Sequence, residues 1–222
     1  IGDGVLVVES VGLTVAQRVT DTNINYPVDV AFSPDGQLIA SASLDNTTNI
    51  WNLKGQLLTT LEGHLGGVVA VDFSPIAEDN IYSLASASWD TTVKIWRIKK
   101  DRNQITSMVE AELKGHQEGL RGVNFSPDGQ AIATASGDNT VKLWNIEGQL
   151  LKTLKGHTNK VYSVSFSPNS SKIVTASWDY TVRLWSRDGT LLKTNYHRDR
   201  VWDVAYSPDG KKFATASSDN TI

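Results

Sequence analysis

The chain has 222 residues, 40% hydrophobic and 20% charged, which is enough to bury a sizeable core in one domain. A formal net charge of −3 gives no global attraction to nucleic acid or an anionic membrane, so neither is an expected partner and any charged surface must be local. The absence of cysteine excludes disulfides, thiolate metal sites and a cysteine nucleophile and fits a reducing, cytoplasmic location, while no apolar run reaches the roughly 18 residues of a membrane helix.

In chain order, residues 2–19 (GDGVLVVESVGLTVAQRV) align with residues 137–154 (GDNTVKLWNIEGQLLKTL), with Glu9 at the position of Trp144. Five versions of one sentence follow: FSPDGQLIASASLDNTTNIW at 32–51, FSPIAEDNIYSLASASWDTTVKIW at 73–96, FSPDGQAIATASGDNTVKLW at 125–144, FSPNSSKIVTASWDYTVRLW at 166–185 and YSPDGKKFATASSDNTI at 206–222. The tryptophans closing the first four copies, Trp51, Trp96, Trp144 and Trp185, lie 45, 48 and 41 residues apart, the length of a propeller blade. Each unit reads as four short strands. VYSVSF (161–166) is the first, a Ser-Pro turn leads to KIVTAS (172–177), and WDY leads to TVRLW (181–185), whose apolar and charged residues alternate. The segment GQLLKTLKG (148–156) is a fourth strand ending at Gly-His. No helical periodicity competes, so the expectation is all-β, and the superperiod selects a propeller over a sandwich.

Gly-His pairs at 63–64, 115–116 and 156–157, five Ser-Pro turns, and an aspartate six residues before tryptophan (Asp45/Trp51, Asp90/Trp96, Asp138/Trp144, Asp179/Trp185) recur in register. On these motifs almost the whole chain resembles the WD-repeat β-propeller family, in a form similar to bacterial and cyanobacterial repeats. The departures are specific. The literal Trp-Asp pairs stand at 89–90, 178–179 and 202–203 rather than at the end of the third strand, and Ile24 replaces the first unit's histidine. Insertions of about four residues within 75–82 and about seven within 97–112 enlarge the second unit, and the resemblance puts both on the wider, bottom face. The expected architecture is one domain over 1–222, built of five four-stranded antiparallel blades. Residues 1–19 would supply the third and fourth strands of the last blade by pairing with 201–217 and close a five-blade ring; the alternative is that the five blades belong to a larger propeller. Ile1 in place of a starting methionine agrees with a longer polypeptide.

His64, Ser86, Asp90 and Trp96 would meet within one blade and could be taken for a Ser-His-Asp triad. The set returns as His116, Thr134, Asp138, Trp144 and as His157, Thr175, Asp179, Trp185, and an active site has no reason to appear once per repeat. The resemblance implies a structural hydrogen-bonded chain instead, in which each buried polar group satisfies the next. The serine or threonine four residues before the aspartate is its expected member, with the serine two residues before as the alternative. No catalytic residue, metal site, phosphate-binding loop or cofactor is expected, since the histidines are spread one per unit and GDNT reads as a β-turn.

Four of the seven tryptophans close blades, which leaves Trp89, Trp178 and Trp202. In the family their loops share the narrower top face, which would also carry Tyr162, Arg121, Lys160 and Arg200, with Asp29 opposing. Aromatic and arginine side chains are enriched at binding hot spots. The expected function is therefore a non-catalytic scaffold that binds a protein or peptide with acidic groups on the top face, as the sensor or scaffold part of a larger signalling protein. The alternatives are a propeller-based enzyme, or a reader of a small ligand or modified residue in an aromatic cage.

Overall fold

The computed structural model describes residues 6–10, 13–17, 27–102 and 104–221. Among them every regular element is a β-strand, so no helix is long and apolar enough to cross a membrane. A hairpin of β1 (Leu6–Ser10) and β2 (Leu13–Gln17) precedes the repeats. The first blade is β3 (Pro27–Phe32), β4 (Leu38–Ser43), β5 (Thr48–Asn52) and β6 (Leu57–Leu61). The second is β7 (Val68–Glu78), β8 (Ile81–Ser88), β9 (Val93–Asp101) and β10 (Gln104–Leu113). The third comprises β11 (Leu120–Phe125), β12 (Ala131–Ser136), β13 (Val141–Asn145) and β14 (Leu150–Leu154). The fourth comprises β15 (Val161–Phe166), β16 (Lys172–Ser177), β17 (Thr181–Ser186) and β18 (Leu191–Tyr196), and a fifth sheet holds β19 (Val201–Tyr206) and β20 (Phe213–Ser217). Within each blade the strands pair antiparallel in sequence order.

The turns explain why the strands end where they do. In the first Ser-Pro turn, the Ser33 hydroxyl donates to Asp35 at 2.6 Å and accepts the Leu38 N–H at 2.9 Å, while Gly36 takes a left-handed φ of 67°. The core lies between blades. Trp96 packs with Leu38, Ala40 and Ile50 of the preceding blade, Trp144 with Ala85 and Ile95, and Trp185 with Ala133 and Leu143. These three indoles thus bury their faces against the sheet before them, and small alanines on that sheet make room.

The inner strands β3, β7, β11, β15 and β19 pack each against the next and line a channel of about 450 Å³. Polar side chains stitch them together. Asp29 Oδ2 accepts the Val71 N–H at 2.9 Å, Asp72 Oδ2 accepts the Phe125 N–H at 2.7 Å and the Asn124 amide at 2.9 Å, and Asn124 Oδ1 accepts the Phe166 N–H at 3.0 Å. The Ser163 hydroxyl donates to Asp203 at 2.6 Å, carrying the belt into the fifth sheet. Backbone donors on a strand without a ladder partner are thereby satisfied across the blade interface.

The expected pairing of residues 1–19 with 201–217 is not among the ladders of the described residues: β1 pairs with β2, and β19 with β20. Residues 1–5, 11–12, 18–26, 103 and 222 lie outside them, so Ile24 is not described.

Candidate partner-binding face

The blade network runs in one direction because an indole can only donate. In the second blade Trp96 Nε1–H donates to Ser86 Oγ at 2.8 Å, that hydroxyl lies 2.8 Å from His64 Nε2, and His64 Nδ1 lies 2.8 Å from Asp90 Oδ2. The hydroxyl therefore gives its proton to Nε2, and a neutral imidazole donates from Nδ1 to the carboxylate. Thr134 and Thr175 sit likewise between Trp144 and His116 and between Trp185 and His157, with contacts of 2.7–3.0 Å. In the fifth sheet His197 joins Thr215 and Asp219 at 3.0 Å, and in the first blade Trp51 reaches Ser41 at 2.9 Å. Burial pushes the His64 and His157 pKa values down, which favours the neutral ring. Burial alone would raise Asp90, but the Leu65 N–H, the Thr92 hydroxyl and His64 outweigh it and hold the carboxyl at about 2.

The alternative serine is engaged elsewhere. Ser88 accepts the Asp90 N–H at 3.0 Å and donates to the Gly66 carbonyl at 2.7 Å. Ser86, Thr134 and Thr175 are fully buried, so no substrate can reach these hydroxyls. The geometry is that of a strut.

The spare tryptophans converge at the starts of the inner strands, beside the histidine–aspartate pairs: Trp89 and Trp178 directly precede Asp90 and Asp179, and Trp202 follows His197 by five residues. Tyr162 and Trp178 stack with centroids 4.5 Å apart and planes 13° from parallel. Trp202 meets both edge-on, at 5.1 and 5.0 Å, and donates from its indole to Ser218 at 2.6 Å. Arg200 lies 4.5 Å over Trp178 and Lys160 lies 5.8 Å from the same ring. Arg121 bridges the gap to the second blade, 5.2 Å from the Tyr162 ring and 5.7 Å from that of Trp89. One ladder of rings and cations thus runs from Trp89 to Trp202, and Trp89 and Trp202 stay 45% and 42% exposed at its two ends. The Trp178 indole N–H and the Arg121 Nε–H are buried with no acceptor among the described residues, as are the Thr48 and Tyr206 hydroxyls elsewhere.

Gly67 and Gly119 clear the space around Trp89. A Cβ on Gly119 would stand 3.0 Å from the Trp89 Cα, and one on Gly67 3.2 Å from its ring.

Asp29 must be removed from this surface. One carboxylate oxygen accepts its own neighbour's N–H, Val30, and the other that of Val71, both at 2.9 Å, so the group is spent tying the first blade to the second on the channel wall. The inter-blade belt through Asp72, Asn124, Ser163 and Asp203 was not foreseen. Its one sequence trace is a polar residue directly before the phenylalanine that ends the first strand, as in VVAVDF and LRGVNF. Among the described residues no three histidine, aspartate or glutamate side chains form a group able to hold a metal.

The family model described as "WD40: WD domain, G-beta repeat" matches five successive segments, residues 20–52, 55–97, 107–145, 148–186 and 189–222. Among curated proteins, "Ribosome biogenesis protein WDR12 homolog" of Drosophila persimilis is 34% identical over 103 residues, 46% of this chain and 24% of its own length. The Dictyostelium discoideum protein of the same description is 36% identical over 95 residues, 43% of this chain and 20% of its own length. "Periodic tryptophan protein 2" of Saccharomyces cerevisiae is 34% identical over 120 residues, 53% of this chain and 12% of its own length. The matches span a quarter or less of these relatives, all of them eukaryotic, which lends no support to the bacterial character of the repeats.

Proposed function

Because the chain belongs to the WD-repeat β-propeller family, whose model matches most of its length, we propose that it is a non-catalytic protein-interaction scaffold whose partner docks on the ladder from Trp89 to Trp202. The observation that carries this reading is the ladder's continuity across four successive blades, outside the repeated hydrogen-bonded strut. A core cluster would shed its cations, whereas here Arg121 lies between the Trp89 and Tyr162 rings and Lys160 and Arg200 lie against Trp178, so that aromatic area and directed donors combine as they do at interface hot spots. The partner's surface should be acidic, to complement the three cations. An open cage for a methylated ammonium group is disfavoured, because Arg200 already occupies the Trp178 face. The name of the Drosophila and Dictyostelium relatives puts ribosome biogenesis ahead of signalling as the process to examine.

The test is affinity capture with the parent protein and with Arg121→Glu/Arg200→Glu, followed by identification and purification of the captured protein. The double variant should keep the far-UV spectrum and lose that protein. Retention would move the site elsewhere. Binding of a labelled single-stranded RNA to the parent, abolished in the variant, would replace the protein partner with nucleic acid.

A further inference from the structure

We infer that the groove between the second and third blades, on the face opposite the tryptophan ladder, is a second docking site, and that its occupant is an extended partner segment with basic side chains flanking aliphatic ones. This stands independently of the reading of the ladder. In two other pairs of neighbouring blades the bottom ends are clasped by side chains. Tyr82 donates to Asp35 at 2.7 Å and Lys100 to Gln37 at 2.8 Å between the first and second blades. Between the third and fourth, Arg187 pairs with Asp128, whose N–H donates to Ser170 at 3.0 Å. Between the second and third, no such side-chain clasp joins the turns among the described residues. A cavity of about 570 Å³ opens instead, and Ile76, Phe125 and Ile146 form apolar walls while Glu78, Glu110 and Glu147 bring three carboxylates to it.

The lining comes from places where one blade breaks the repeat. The first insertion leaves Ser74–Ile76 facing Ser83 alone, between the pairs Phe73/Leu84 and Ala77/Tyr82, and this drives Ile76 across to the third blade's Gly129. The outer-strand bulge, filled by Leu58, Leu151 and Leu192 in the other blades, holds Glu110 here. Bulges re-aim side chains, and this one turns a carboxylate into the groove. Ile146 stands where the fourth blade has the clasping Arg187, and Glu147 where the first has Lys54. Ile76 and Ile146 remain 46% and 40% exposed. Glu110 shares only a 3.5 Å, solvent-exposed pair with Arg97, and Glu78 and Glu147 have no cation within ion-pairing distance among the described residues. Apolar walls under uncompensated carboxylates complement lysine or arginine beside leucine or isoleucine, and repel phosphate-bearing ligands.

The probe is a fluorescein-labelled acetyl-Arg-Leu-Arg-Leu-Lys-amide peptide, titrated by anisotropy against the parent, Glu110→Leu/Glu147→Lys and Trp178→Ala. Both groove substitutions import residues already used at the same positions in other blades, so the fold should hold. The parent should bind saturably, the groove variant about tenfold more weakly, and Trp178→Ala as the parent does. Absent saturation, equal binding to the groove variant, or loss with Trp178→Ala would each overturn the inference. If the double variant fails to fold, Glu147→Lys alone, on an exposed turn, must still weaken binding at least about threefold.

Discussion

Replacing Thr134 with valine tests the strut of the third blade without changing its shape. The hydroxyl is fully buried and serves two partners, the Trp144 indole at 2.9 Å and His116 Nε2 at 2.8 Å. Valine is nearly isosteric, so no cavity opens and the loss is electrostatic: one buried donor and one buried acceptor are left unpaired. Each such group costs ~1–3 kcal/mol, which gives ~2–6 kcal/mol together before relaxation. The control is Thr153→Val, which removes a 3.0 Å bond from Lys142 on a partly exposed strand and should cost less than ~1 kcal/mol. Urea unfolding followed by tryptophan fluorescence and far-UV dichroism reads both, with coincidence of the two probes as the check that one stability describes the chain. If Thr134→Val is no more destabilising than Thr153→Val, the hydroxyl is not the junction of the network and the reasoning fails.

Asp72 supplies a pH test of the inter-blade belt. Burial lifts its carboxyl to about 7, against the pull of the Phe125 N–H and the Asn124 amide. The folded state therefore binds this proton more tightly than the unfolded chain, and the group's contribution to stability declines as pH rises from about 4, its unfolded pKa, to about 7. Asp72→Asn removes that decline, so the variant should gain on the parent across this window; a difference that is flat with pH in urea titrations refutes it. Two glycines with the same φ of 67° separate strain from contact: a Cβ on Gly36 meets nothing within 4 Å, whereas one on Gly129 falls 2.4 Å from Ile76 Cδ1. Gly36→Ala should cost ~1 kcal/mol of backbone strain, and Gly129→Ala should cost more and displace Ile76 from the groove. Equal midpoints by thermal unfolding would show that Ile76 does not press on that turn.

The parts legible in the sequence are those the chain states more than once. Trp96, Trp144 and Trp185 keep one spacing to aspartate, and because the spacing recurs it fixes strand pairing, the buried hydroxyl and the face against which each indole packs. Trp89 and Trp178 were separable by the opposite signal, since Leu44, Gly137 and Ser218 fill their position in the other units. Asp29 misled by one position: the strand registers set Val28 with Trp202 and Asp29 with Asp203, and a slip of one residue along a strand exchanges its two faces. The groove was illegible for a related reason. The insertions are visible as extra residues, but only the register of β7 with β8 and of β9 with β10 shows that they extend two hairpins, that the first sets Ile76 against the third blade, and that Glu110 occupies the bulge. Unique loops have no second copy from which to infer their geometry.

The central claim is that holding the blades and binding a partner are carried by different residues. Titration of the identified partner against Trp178→Ala and against Thr134→Val tests it most directly, with thermal midpoints recorded for both. The account predicts about tenfold or greater loss of affinity with little change in midpoint for Trp178→Ala, and a lowered midpoint with unaltered affinity, measured below unfolding, for Thr134→Val. Parent-like affinity in a folded Trp178→Ala protein, or affinity lost in proportion to stability in both, would contradict it.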